Sequence, residues 1–136
     1  MRNQSAVIER MESDEFCICE DGLKFAGRHL IIELWKARYL TDPARIREIF
    51  IKAIDNCGAT MLGIDLHVFS PNGGVSGVAI LKESHISIHT WPEYEYAAVD
   101  IFVCGTINPR LTLPVLDKGF QPKRIEVREI RRGILP

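Results

Sequence analysis

No apolar run in this chain approaches the roughly 18 residues needed to cross a bilayer, and its polar start, MRNQSAVIER, does not read as a secretory signal. A cytoplasmic protein with no membrane partner is the resulting expectation. An excess of charge of one sign is also missing. Seventeen Lys and Arg against 18 Asp and Glu leave a net charge of −1, which gives no electrostatic reason to expect nucleic acid as a partner. Cysteine is sparse. Cys17, Cys19, Cys57 and Cys104 are too few and too scattered for a disulfide framework. Cys17-x-Cys19 has neither zinc spacing nor a second pair of cysteines to complete a site. As reduced thiols, the first three act as small apolar fillers. Repeats and low-complexity linkers are absent as well. What is present is 136 residues, 46% hydrophobic and 26% charged, the composition of one globular domain that buries roughly two-thirds of its unfolded surface.

Residues 1 to 22 are polar with weak periodicity and read as an amino-terminal arm or loose edge segment; residues 23 to 136 read as the domain. Phe25 to Trp35 predicts a strand. TDPARIREIFIKAIDNCG predicts a helix, with Asp42 as N-cap, Pro43 at the first helical position and Gly58 ending it. Its apolar stripe is Ile46, Ile49, Phe50, Ala53, Ile54 and Cys57, at spacings of three and four. Strands are expected over Ala59 to Phe69, Val75 to Lys82, His85 to Thr90 and Ala97 to Cys104. The loop Ser70-Pro71-Asn72-Gly73-Gly74 and the turn Trp91-Pro92-Glu93-Tyr94 separate them. Asn108 to Phe120 reads as a second helix that is short, kinked or broken at Pro114, and Lys123 to Ile130 as a final edge strand. The expected fold is an α+β two-layer sandwich, an antiparallel sheet with helices on one face.

Side chains alternate along a strand with period two, so each predicted strand has two faces. Leu30, Ile32 and Leu34; Leu62, Ile64, Leu66 and Val68; Ile86 and Ile88; and Val99, Ile101 and Val103 give each strand one wholly apolar face, expected under the helices. The opposite face carries Glu33, Asp65, Asp100, Cys104, all four histidines (His29, His67, His85 and His89), and the aromatics Trp35, Phe69 and Phe102. Such a face is either a wet surface or a second buried layer. The aromatics and the scarcity of Lys and Arg favour the latter, formed with the same face of another protomer. Chemistry is expected there.

Two common kinds of site fit poorly. His85 and His89 on a strand stand about 13 Å apart at ~3.3 Å per residue, too far to share a metal, so no metal is expected. Ser84 has no Gly-x-Ser-x-Gly elbow around it. A different pattern does fit. Glu83-Ser84-His85, then Ile88-His89-Thr90-Trp91-Pro92-Glu93, then Tyr96 through Cys104-Gly105 form one ordered 23-residue block. With Gly27-Arg28-His29-Leu30, His67-x-Phe69 and Gly74-Val75-Ser76-Gly77-Val78, it closely resembles the prokaryotic S-adenosylmethionine decarboxylase proenzymes, over roughly residues 26 to 105.

The resemblance implies a self-made cofactor. Ser84 would attack the Glu83 carbonyl and form an ester. Elimination would cut the chain into a β chain (1–83) and an α chain (84–136), and residue 84 would become a pyruvoyl group. That group would form a Schiff base with the substrate and serve as the electron sink for decarboxylation. Ser76 and His89 match the family's processing residues, His89 as proton acceptor. Cys104 matches its proton donor in decarboxylation, and its strand position is expected to lie beside His89. Phe69 and Trp91 match positions that pack on the adenine or the sulfonium, and Glu93 a carboxylate that binds the ribose hydroxyls; His67 and Asp65 share that strand face. The product would be an aminopropyl donor for spermidine biosynthesis. Two other readings remain open: the same chemistry on arginine or ornithine, for which Asp65 offers an extra acid to pair with a cationic head, and a non-catalytic paralogue that binds a nucleotide or an active homologue.

Overall fold

The computed structural model describes residues 17–136, so the residue 1–16 part of the expected arm lies outside the described residues. Seven strands form one sheet: β1 (Ile18–Glu20), β2 (Leu23–Trp35), β3 (Met61–Val68), β4 (Val75–Leu81), β5 (Ser84–Trp91), β6 (Tyr96–Cys104) and β7 (Arg124–Ile134). All the strand pairs are antiparallel, in the order β1-β2-β6-β5-β4-β3, with β7 on the other edge of β2. β2 outruns β6: Gly27 is paired with Cys104, and beyond it Phe25 is paired with Ile18. The end of the expected loose segment is therefore a short edge strand with Ile18 buried.

α1 (Pro43–Cys57) forms where its capping chemistry places it. The Asp42 side chain accepts a hydrogen bond from the Arg45 amide, and Pro43 occupies the first turn, where a missing N–H costs nothing. Gly58 ends the helix at φ 78°, a left-handed conformation that glycine adopts without penalty. All six residues of the predicted stripe are buried. The second helical segment is broken, and Pro114 explains where. A 3₁₀ turn (Pro109–Thr112) precedes α2 (Leu113–Phe120), and Pro114 stands in the first turn of α2 rather than inside a continuous helix. Ile46 and Phe50 of α1 and Leu116 and Phe120 of α2 join Leu30, Ile32, Leu34, Ile86, Ile88, Val99, Ile101 and Val103 of the sheet in one core. Each such side chain contributes about 1.5–3 kcal/mol of apolar burial. The helices thus cover one face, as expected.

One strand departs from strict alternation. Met61 pairs with Leu81, but Gly63 pairs with Ile80, so Leu62 is an extra residue in a β-bulge. It turns outward and is 67% exposed, while Met61, Ile64 and Leu66 pack on the core. Val68, at the strand end, is 45% exposed. The expected apolar face of Leu62, Ile64, Leu66 and Val68 is therefore half right: one inserted residue changes the phase of a period-two pattern.

Candidate active site

The strand register lays out the uncovered face in rungs. Trp35, Tyr96 and Trp91 form the first, and their rings stack at 4.5 Å and 5.3 Å between centroids. Glu33, Ala98, His89, Ser76 and His67 form the second. Ile31, Asp100, Ser87, Val78 and Asp65 form the third, and His29, Phe102, His85, Ile80 and Gly63 the fourth. All four histidines do share this face. Its polar groups are paired across strands: His29 Nε2 lies 3.0 Å from Asp100 Oδ1, and the Tyr96 hydroxyl donates to Glu33 Oε1 at 2.9 Å. Burial first, and then that hydrogen bond to the Glu33 carboxylate, push the Tyr96 hydroxyl up to about 12.

Ser76 and His89 meet as side chains, Ser76 Oγ lying 2.8 Å from His89 Nδ1 across the β4–β5 ladder. Phe69 and His67 pack edge to face at 4.6 Å, and Phe69 and Trp91, at 47% and 39% exposure, remain open to a ligand. Glu93 lies on the one-turn 3₁₀ helix Pro92–Tyr94, where its Oε2 accepts from Asn72 Nδ2 at 2.9 Å.

Ser84 and Cys104 form a second group at the far end of the β5–β6 pair, where both flank Glu83; in the register Ser84 is paired with Val103 and Leu81 of the core. Ser84 has φ 142°, a backbone conformation that non-glycine residues seldom adopt and that costs on the order of 1–3 kcal/mol. The residue before it is held from two sides. The Glu83 carbonyl accepts from the Cys104 amide at 3.0 Å, and its carboxylate Oε1 accepts from the Thr60 amide at 3.0 Å. Burial pushes the Cys104 thiol up, and the nearby Glu83 carboxylate and Cys17 add to this. The register corrects one expectation. Cys104 is not beside His89: His89 is paired with Ala98, and Cys104 lies opposite Gly27 and next to Glu83. Ser84 and His89, five residues apart on one strand, are separated by about 16 Å at ~3.3 Å per residue.

Residues 28–133 match the family model described as S-adenosylmethionine decarboxylase. The chain belongs to the S-adenosylmethionine decarboxylase family. A proenzyme of that name from Methanococcus maripaludis is 47% identical over 116 residues, covering 83% of this chain and 94% of its own length. One from Thermomicrobium roseum is 44% identical over 114 residues, covering 83% and 98%. The crystal structure of the adenosylmethionine decarboxylase from Aquifex aeolicus superposes with a TM-score of 0.71 at 32% identity, covering 81% of this chain and 92% of that one. The family match extends past Gly105 to residue 133, beyond the stretch that its motifs mark in the sequence.

Within this S-adenosylmethionine decarboxylase fold, the expected site residues divide into two clusters, Ser84 with Cys104 and Ser76 with His89, His67, Phe69, Trp91 and Glu93; Asp65 is exposed on the rung between them. Sequence reasoning missed Thr60, Asn72 and the His29–Asp100 pair. Asn72 carried a signal, since Asn before Gly-Gly in a loop favours a side-chain-to-backbone turn. Thr60 carried none. No helix among the described residues is long and apolar enough to cross a membrane.

Proposed function

We propose that the chain is a cytoplasmic proenzyme that cuts itself between Glu83 and Ser84 and then decarboxylates S-adenosylmethionine, supplying an aminopropyl donor for spermidine biosynthesis. One observation carries this reading. The serine of the family block sits in strained backbone, and the carbonyl before it is already on a hydrogen-bond donor. Attack by Ser84 Oγ on the Glu83 carbonyl carbon puts charge on that oxygen, where the Cys104 N–H meets it. Breaking the C–N bond leaves an ester and a free amine and releases the strain at residue 84. A base then removes the Cα proton of residue 84, the Cβ–Oγ bond breaks, and Glu83 departs as a carboxylate. The resulting dehydroalanine takes up water and loses ammonia to give a pyruvoyl group.

His89, oriented by Ser76, is the base, and the about 16 Å from Ser84 means that it cannot serve its own chain. A second copy does so. Pairing of the two open faces brings Ser84 and Cys104 of one protomer to Ser76, His89, Phe69, Trp91 and Glu93 of the other, and it covers the exposed aromatics. The cleaved chains, 1–83 and 84–136, stay together through the β4–β5 and β5–β6 ladders. The pyruvoyl group supplies a carbonyl that takes up the substrate amine and accepts the electron pair released with CO₂. Around it, Cys104 holds a proton for the carbon that loses CO₂, Phe69 and Trp91 pack on the adenine or sulfonium, and Glu93 accepts from the ribose hydroxyls. The relatives are named for S-adenosylmethionine, which favours it over arginine or ornithine and over a non-catalytic paralogue.

Intact-protein mass spectrometry under denaturing conditions tests this. Two chains are expected, one ending at Glu83 and one beginning with a pyruvoyl group; Ser84→Ala gives one uncut chain. Reductive trapping with a hydride reagent is expected to add S-adenosylmethionine, not arginine or ornithine, to the second chain. A single unmodified native chain overturns the reading.

A further inference from the structure

The β3–β4 loop and the β5–β6 turn meet at Asn72 and Glu93. Asn72 Nδ2 donates to Glu93 Oε2 at 2.9 Å, and Asn72 Oδ1 accepts from the Gly74 amide at 2.9 Å. The second bond fixes the first. Because the amide oxygen is committed to a backbone donor, the NH₂ end must face the carboxylate, and turning the amide over would lose both bonds. The loop is itself well held, with the Phe69 amide donating to Gly74 O at 2.7 Å and the Gly73 amide to Phe69 O at 2.9 Å. It also packs closely on the turn: a Cβ on Gly74 would come within 3.0 Å of Thr90 O and 3.5 Å of Pro92 Cδ. Glu93 is exposed on a single 3₁₀ turn, where a carboxylate without such a partner samples several rotamers.

We propose that Asn72 is a positioning residue for nucleoside binding: it fixes the Glu93 carboxylate so that both oxygens face the ribose diol. This rests on the role proposed for Glu93. A carboxylate oxygen has two acceptor sites, so Oε2 takes the Asn72 donor and one hydroxyl while Oε1 takes the other hydroxyl. Ordering the side chain in advance removes an entropic cost from binding. The contact also discriminates, because a vicinal diol is present in a nucleoside and absent from arginine and ornithine.

Asn72→Asp and Asn72→Ala separate this role from a structural one. The Asp variant keeps an oxygen for the Gly74 amide, and hence the turn, but sets a second negative charge against Glu93. The Ala variant loses both bonds. The probes are 5′-deoxy-5′-methylthioadenosine and its 2′,3′-dideoxy analogue, titrated calorimetrically into the processed protein. Affinity for the diol-bearing probe is expected to fall about 10- to 150-fold in Asn72→Ala, the loss of one hydrogen bond to a charged group, and at least as far in Asn72→Asp. The dideoxy probe is expected to bind both variants as it binds the native protein, and KM for S-adenosylmethionine to rise more than kcat falls. Native-like binding of the diol probe by Asn72→Asp, or equal losses for both probes, overturns the proposal. Glu93→Gln separates the role of Glu93 from that of Asn72. If it leaves diol binding unchanged, the role of Glu93 fails and takes this proposal with it. If it weakens diol binding while both Asn72 variants bind normally, Glu93 keeps its role and the proposal alone fails.

Discussion

Cys104 offers two different groups to the proposed chemistry. Its backbone amide holds the Glu83 carbonyl at 3.0 Å, and its thiol, pushed up by burial and by the nearby Glu83 and Cys17, stays protonated at neutral pH. A proton donor needs that direction, whereas a cysteine nucleophile needs the opposite one. The two roles are separable by substitution. Cys104→Ala keeps the amide, so chain cleavage is expected to proceed, while kcat for CO₂ release falls by roughly 10²–10⁴, the usual contribution of a positioned acid. Mass spectrometry reads the cleavage and a CO₂ assay the turnover. An uncut Cys104→Ala chain would instead place the thiol in processing. The sign of the shift can be checked on its own. Iodoacetamide reacts with the thiolate, so the alkylation rate of Cys104 in the processed native protein is expected to reach its midpoint above the ordinary thiol range of about 8.5.

At the scale of elements, α1 is the clearest example of local chemistry fixing a structure. Asp42, Pro43 and Gly58 set its ends through bonds made within a few residues, so they were readable in the chain. Asp42→Ala is expected to cost about 0.5–2 kcal/mol and to lower Tm by a few degrees without altering chain cleavage. Differential scanning calorimetry beside mass spectrometry checks both, and an unchanged Tm would mean that the cap contributes nothing. The faces of β2, β5 and β6 were legible for a similar reason, since alternation needs no knowledge of neighbours. Leu62 was not, because a bulge is a property of the β3–β4 pair and leaves no mark in one strand's pattern. The misplacement of Cys104 beside His89 has another cause. Counting outward from the turn at Pro92–Tyr94 pairs Trp91 with Tyr96, His89 with Ala98, and brings Cys104 to Glu83. The register was implicit in that turn; nearness in the motif stood in for it.

At the scale of the molecule, the same register makes one chain insufficient for the processing proposed above. The motif supplies every residue type that the proposed processing requires. Yet the register puts Ser84 and Cys104 at one end of the β5–β6 pair, and Ser76 and His89 near the other, 2.8 Å from each other and about 16 Å from Ser84. A slide of that size within β5 would break the ladders to β4 and β6 on both sides, so assembly is the cheaper way to bring the groups together. An isologous pair of open faces would do so twice, once for each Ser84. Mixed assemblies test this directly. Ser84→Ala and His89→Ala chains, each produced alone, are expected to remain uncut. Co-produced with distinguishable tags, they form some pairs in which the intact Ser84 of the His89→Ala chain faces the intact His89 of the Ser84→Ala chain. Cleavage is then expected in the His89→Ala chain only, and at most in those mixed pairs. If the co-produced chains form stable mixed pairs and both stay uncut, His89 does not act across the interface, and the shared-site reading is wrong.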